Sequence, residues 1–154
     1  MITIYVRAIV PSDGHYVLMG DKDKEGKQIW DLPGGELVAG VDVKHLLRKL
    51  VLQNTGYSIV NLKFFEVTCK VKPRGRGQEP VTIIDFIFTS SVEANELQPA
   101  AKELDMLRFE EFEWLKSGGR FRENKVMALL SRYHRKHLKD EEARLQIETE
   151  TATA

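Results

Sequence analysis

WDLPGGELVAGVDVKHLLRKLVLQNTGY, residues 30–57, changes its hydrophobic period midway, and that change decides how the middle of the chain folds. Up to Pro33 the stretch QIWDLP (28–33) reads as a strand, closed by proline and the pair Gly34–Gly35. GGELVAG (34–40) reads as loop. Beyond it Val43, Leu46, Leu47, Leu50 and Val51 recur at i, i+3, i+4, i+7 and i+8, the buried stripe of an amphipathic helix. Asp42 is placed to cap the helix at its start, and Gly56 to end it after Thr55.

Upstream, ITIYVRAIV (2–10) is β-branched and aromatic and stops at Pro11. SDGH (12–15) reads as a turn and YVLMG (16–20) as the returning strand of a hairpin, followed by the solvated loop DKDKEGK (21–27). Downstream come two long strands, about 58–72 and 80–91, joined by the Gly/Pro loop PRGRGQEP (73–80). Residues 92–107 read as polar connection, RFEEFEWL (108–115) as a strand, and 123–145 as a helix with Val126, Leu129, Leu130 and Tyr133 on its apolar side. QIETETATA, from Gln146, has little to bury and is expected to fray. This order of elements implies an α+β fold.

The segment 30–57 resembles the Nudix box and its lead-in, whose pattern is G-x5-E-x7-R-E-U-x-E-E-x-G-U with U bulky and apolar. Gly35 takes the first glycine, Gly56 the last, Val51 and Tyr57 the bulky positions, and the spacing is kept without a gap. RAIVPSDGHYVLMGDKD (7–23) is similar to the family's first hairpin, and FEEFEWL (109–115) to a late strand, so the resemblance spans about 3–135. It implies a Nudix-type α/β/α sandwich with a mixed sheet over residues 1–138, with 139–154 as helix end and tail. It also implies an ancestral chemistry, in which helix and loop carboxylates hold magnesium or manganese, and the metal activates water against a diphosphate.

This chain departs from the pattern where that chemistry is carried. Val41 stands at the loop glutamate, Lys49 at the arginine, and Leu50, Gln53 and Asn54 at the three helix glutamates. Shifting the alignment by one residue brings Arg48 onto the arginine position but no acid. Neutral amides are poor ligands for a hard dication and cannot act as general bases near neutral pH. Leu50, on the apolar stripe, suggests that the old site face has joined the core.

Other acids are Asp31, Glu36, Asp42, Glu66, Glu79, Asp85, Glu103 and Asp105, each read first as a solvated or capping carboxylate. Glu36, Asp42 and Glu103 are the candidates for recruited metal ligands, and no metal site is assigned. Lys70, Lys72, Arg74 and Arg76, with Gly75 and Gly77 between, are candidates to meet a ligand's phosphates, against the plainer reading of a charged hairpin tip. Trp30 and Tyr5 can stack on a base or pack in the core. His134 and His137 are spaced for a metal, but Arg132, Arg135 and Lys136 make a solvated basic helix face the better account.

Lys plus Arg and Asp plus Glu both number 23, so global charge argues for no class of partner, and nucleic acid is not expected. The single cysteine, Cys69, has no partner for an internal disulfide and reads as a half-buried core thiol. No stretch has the roughly 20 apolar residues of a membrane span, and no signal peptide is legible, which makes the cytoplasm the default location. Three functional readings stay open. The first is a non-catalytic binder of a nucleotide or related phosphate compound, without cofactor. The second is a hydrolase of nucleoside diphosphate derivatives with recruited magnesium or manganese ligands. The third is a protein- or nucleic-acid-binding scaffold. A homodimer is compatible with all three.

Overall fold

The computed structural model describes residues 1–12, 15–22, 25–26, 28–93, 104–108 and 124–153. The chain divides into two compact units, Met1–Arg120 and Phe121–Ala154.

The first unit is built on strand β1 (Ile2–Ile9), whose alternation sends Val6 and Ala8 to one face and Tyr5 and Arg7 to the other. β1 runs parallel to β7 (Val81–Val92) and antiparallel to the short β5 (Gly34–Glu36), while β7 pairs antiparallel with β6 (Ile59–Lys72). The sheet is therefore mixed, in the order β5-β1-β7-β6. A second sheet centres on β3 (His15–Lys22), paired with β2 (Pro11–Ser12), β4 (Gln28–Asp31) and β8 (Leu104–Arg108).

Helix α1 (Val43–Thr55) starts and stops where its sequence says it must. The Asp42 carboxylate accepts from the His45 N–H at 2.9 Å, satisfying one of the helix's unpaired donors, and Gly56 ends it in the left-handed region at φ 75°. Leu46, Leu47 and Val51 are buried in one cluster with Val6, Ala8, Val10, Val17, Tyr57, Ile59, Leu62 and Phe88. Burying each large aliphatic side chain contributes about 1.5–3 kcal/mol, so this face holds the helix on the sheet.

Several expectations are corrected. Gly34–Glu36, read as loop, is a strand because its backbone pairs with β1 across Tyr5, Val6 and Arg7. Leu104–Arg108, read as polar connection and the start of the next strand, pairs with β3; the rest of the expected strand to 115 lies outside the described residues. Cys69 is exposed rather than half-buried. It shares a sheet face with Val67 and Val71, and both are more than half exposed, as are Ile2 and Phe64. The alternation there is genuine, but α1 does not reach that end of the sheet.

The second unit holds helix α2 (Asn124–Thr153), which runs on past Leu145, through the stretch expected to fray. It buries Leu129 and Leu130. From Leu138 to Thr151 every residue is exposed. Among the described residues no helix is long and apolar enough to cross a membrane.

Candidate functional site

The box segment places β5 and the C-terminal half of α1 against each other. Gly34 is pressed so closely onto β1 that a Cβ there would collide with the Val6 carbonyl oxygen and come within 2.8 Å of the Arg7 Cα. Its φ of 148° adds a conformation that side-chain-bearing residues avoid. One residue on, a Cβ at Gly35 would lie 3.2 Å from Leu50 Cδ1. Leu50 thus lies directly over Gly35, partly buried against the core cluster. One turn further along the helix, the Asn54 Nδ2 donates to the Gly34 carbonyl at 2.8 Å.

This surface does not fit a divalent cation. Helix α1 carries no acidic side chain, Leu50 fills the space over Gly35, and the free lone-pair side of the Gly34 carbonyl is met by an N–H donor. Magnesium and manganese need several oxygen ligands, preferably anionic. Val41, Lys49 and Gln53 are exposed and point no carboxylate inward. Of the recruitable acids, Asp42 is engaged in capping α1, and Glu36 lies exposed at the end of β5, opposite Tyr5. Glu103 lies outside the described residues. Among the described residues no group of three or more His, Cys, Asp or Glu is arranged to hold a metal.

The opposite face of the main sheet carries a polar row beside the buried Ile9 and Ile87. The register aligns Glu36, Tyr5, Asp85 and Thr68 in one row across all four strands. Arg7 is held beside that row: its Nε donates to Asp85 Oδ1 at 3.0 Å, and its Nη1 lies 3.4 Å from Asp31 Oδ2 and donates to the Leu32 carbonyl at 3.1 Å. The guanidinium also stands 5.1 Å from the Tyr5 ring centroid. Thr68 Oγ1 donates to Asp85 Oδ2 at 3.5 Å, and Asp31 Oδ1 accepts the Leu32 N–H at 2.8 Å. Asp31 and Asp85 are therefore neither solvated nor capping carboxylates. Both are buried, and both are matched to Arg7. The signal for this was a lone cation in one apolar strand and a lone anion in another.

The hairpin cations are all exposed. Lys70 and Lys72 share the sheet face of Thr68 and Asp85, while Arg74 Nη2 lies 3.7 Å from Met1 Sδ near the hairpin turn. Trp30, half-buried on β4 opposite Gly20, belongs to the other sheet, so strand pairing does not bring it together with the hairpin. On α2, His137 pairs with Glu141 at 3.3 Å and stacks on Tyr133 with ring centroids 6.1 Å apart. Burial of the Tyr133 side chain pushes its hydroxyl above the usual tyrosine range.

No family model and no curated protein sequence matches the chain. Solved structures do. A NUDIX hydrolase from Nitrosomonas europaea is 18% identical with a TM-score of 0.66, over 87% of this chain and 89% of that one. A mutator MutT protein from Bacillus halodurans is 19% identical with a TM-score of 0.62, over 82% and 79% of the two chains. An ADP compounds hydrolase is 14% identical with a TM-score of 0.63, over 90% and 74%. At such identities the likeness speaks for architecture, and it agrees with the mixed sheet, the glycine-led β5 and the helix between Asp42 and Gly56: this chain has the Nudix hydrolase fold.

Proposed function

We propose that the chain is a non-catalytic Nudix-fold binder of a nucleotide or a related phosphate compound. The observation that carries this reading is the pairing of Leu50 with Gly35 and of Asn54 with Gly34 on a helix that has no carboxylate. In this reading the box is degenerate: an apolar contact and an amide hydrogen bond stand where a metal cage is required for hydrolysis. Metal-assisted attack depends on several kcal/mol of charge stabilisation, and each 1.4 kcal/mol is about tenfold in rate, so a loss of thousandfold or more is expected. The likeness to solved structures of this fold, one of them of an ADP compounds hydrolase, supports a phosphate-bearing ligand by fold analogy alone.

The test combines phosphate release with thermal shift, across nucleotide sugars, dinucleotides and nucleoside di- and triphosphates, each with and without magnesium or manganese. Binding raises the melting temperature by mass action, without turnover. Robust hydrolysis abolished by a chelator would overturn the reading and direct attention to Glu36, Asp42 and Glu103.

A second reading is favoured by the exposed apolar face of Ile2, Phe64, Val67 and Val71. Contiguous exposed apolar surface marks association sites, and a chain of zero net charge does not repel its own copy. The occupant in this reading is a second copy of the chain. Light scattering across a concentration series, on the native protein and on Phe64→Lys, tests it: a monomer at every concentration removes the reading.

A further inference from the structure

Helix α1 carries a second feature, on the side away from the core. Lys44, His45, Arg48 and Lys49 fall within two turns, and the helix has no acidic residue to offset them. Lys44 with Arg48, and His45 with Lys49, are like-charged neighbours at i, i+4 when the histidine is protonated, and such pairs oppose helix formation. The first two also sit in the first turn, where the helix dipole disfavours cations. None of the four makes an ion pair with a described residue. Asp42 caps this helix and Glu93 lies across the neighbouring cleft, so among the described residues cations outnumber acids here, and a ligand's anion would balance them.

Beside these cations lies a cleft of about 530 Å³ between α1 and the start of β6, within the range of small-molecule sites. His45, Arg48 and Lys49 line one wall, Leu52 and Val60 offer apolar surface, and Glu93 stands among the lining residues from the end of β7. The mixture of charges limits the ligand. A polyanion charged along its whole length would meet Glu93, whereas a molecule anionic at one end, with an apolar body that carries N–H or O–H donors, satisfies every group.

Resting on the reading of the chain as a phosphate-ligand binder, we infer that this cleft, and not the Gly34–Asn54 surface or the basic hairpin, holds the ligand. Its phosphates lie against Arg48 and Lys49, with its body across Leu52 and Val60 towards Glu93. A nucleoside diphosphate meets this description.

The test is calorimetric titration at low salt with ADP, inorganic pyrophosphate and adenosine. The proteins are wild type, Arg48→Gln/Lys49→Gln, Glu93→Gln and Arg74→Ala/Arg76→Ala, each checked for unchanged circular dichroism. All the substituted side chains are exposed, so the variants should fold. Expected are tenfold or greater loss of ADP and pyrophosphate affinity in the Arg48/Lys49 variant and less than twofold change in the hairpin variant. Glu93→Gln should weaken ADP but not pyrophosphate. ADP binding that survives in the Arg48/Lys49 variant would overturn the cleft while leaving the phosphate-binder reading standing. Pyrophosphate binding lost in that variant, with no nucleotide bound by the wild type, would support the cleft as an anion site and overturn the nucleotide reading. Binding of none of the three probes would overturn the cleft as a nucleoside diphosphate site, whereas the phosphate-binder reading falls only if the wider nucleotide panel also gives no thermal shift.

Discussion

The Asn54 side chain holds the Gly34 carbonyl by a 2.8 Å hydrogen bond that spans 20 residues, tying the end of α1 to the strand that leads into it. A hydrogen bond of this kind contributes about 0.5–1.5 kcal/mol, and more is lost when its removal leaves a buried acceptor unmet. Asn54→Ala should therefore lower unfolding free energy by about 1 kcal/mol in urea titration. Asn54→Asp should be worse, because it sets an anionic oxygen against a carbonyl oxygen. An Asp variant as stable as the wild type would mean that the amide does not hold the carbonyl in solution.

Gly34→Ala is expected to be among the most damaging single substitutions. The added methyl collides with the β1 backbone rather than with a movable side chain, and the backbone angle is unfavourable as well. Loss of at least about 3 kcal/mol is expected. Gly26→Ala serves as comparison, since it shares a positive φ but meets nothing within 4 Å. It should cost only about 1–2 kcal/mol. Equal melting temperatures for the two variants would refute the close approach of β5 to β1.

Arg7 lies between two buried carboxylates, and removing it takes its guanidinium from both. Arg7→Met should cost about 3–5 kcal/mol, the usual penalty for breaking a buried pair from one side. Arg7→Met combined with Asp31→Asn and Asp85→Asn should recover much of that loss, because no uncompensated charge is left. Denaturant titration of the single and triple variants decides it: additive losses would show that the three groups do not act together.

Restoring acids to the box tests the backbone. Val41→Glu, Leu50→Glu, Gln53→Glu and Asn54→Glu together should give the protein measurable manganese affinity by calorimetry. The melting temperature should fall when metal is absent, chiefly through Leu50→Glu, which puts a charge into the partly buried contact over Gly35. An unchanged melting temperature would show that Leu50 contributes no packing.

Ending the chain after Leu145 should leave the melting temperature within about 1 °C of the full chain. The removed residues described here are exposed, and surface changes away from packed features are usually worth less than about 0.5 kcal/mol. A drop of several degrees would show that this part of α2 docks on something in solution.

The parts of the fold legible in the sequence were those whose physics is local. Asp42 and Gly56 bound α1 by backbone chemistry that needs no distant partner, and the stripe from Val43 to Val51 names its buried face. The Gly34–Glu36 strand was not legible. Glycine has little strand preference, and only pairing with β1, far away in sequence, gives this segment its conformation. The side-chain alternation around Cys69 was visible, but not the lack of cover over it, because coverage depends on where α1 ends in space. Arg7 and Asp85 were each conspicuous as a lone charge in an apolar strand. Matching them required the parallel register that sets Tyr5 beside Asp85. The candidate site divides in the same way: which acids are absent can be read from one helix, whereas what Leu50 and Asn54 do instead requires the position of β5.

The ion pair between Arg7 and Asp85 joins positions 78 apart in sequence, and the strands that carry them run parallel. During synthesis β1 is complete long before β7 exists, and β5, with three residues, can shield only one of its edges meanwhile. The other edge stays open until β7 arrives, and until then Arg7 has Asp31, at the end of β4, but not yet Asp85 as a counter-charge. Closing a loop over such a distance is slow compared with local pairing, so the β1–β7 pair is among the later contacts to form. The second half of the charge balance of Arg7 is thus withheld until β7 brings Asp85 into register, which favours β7 over another apolar strand at that edge.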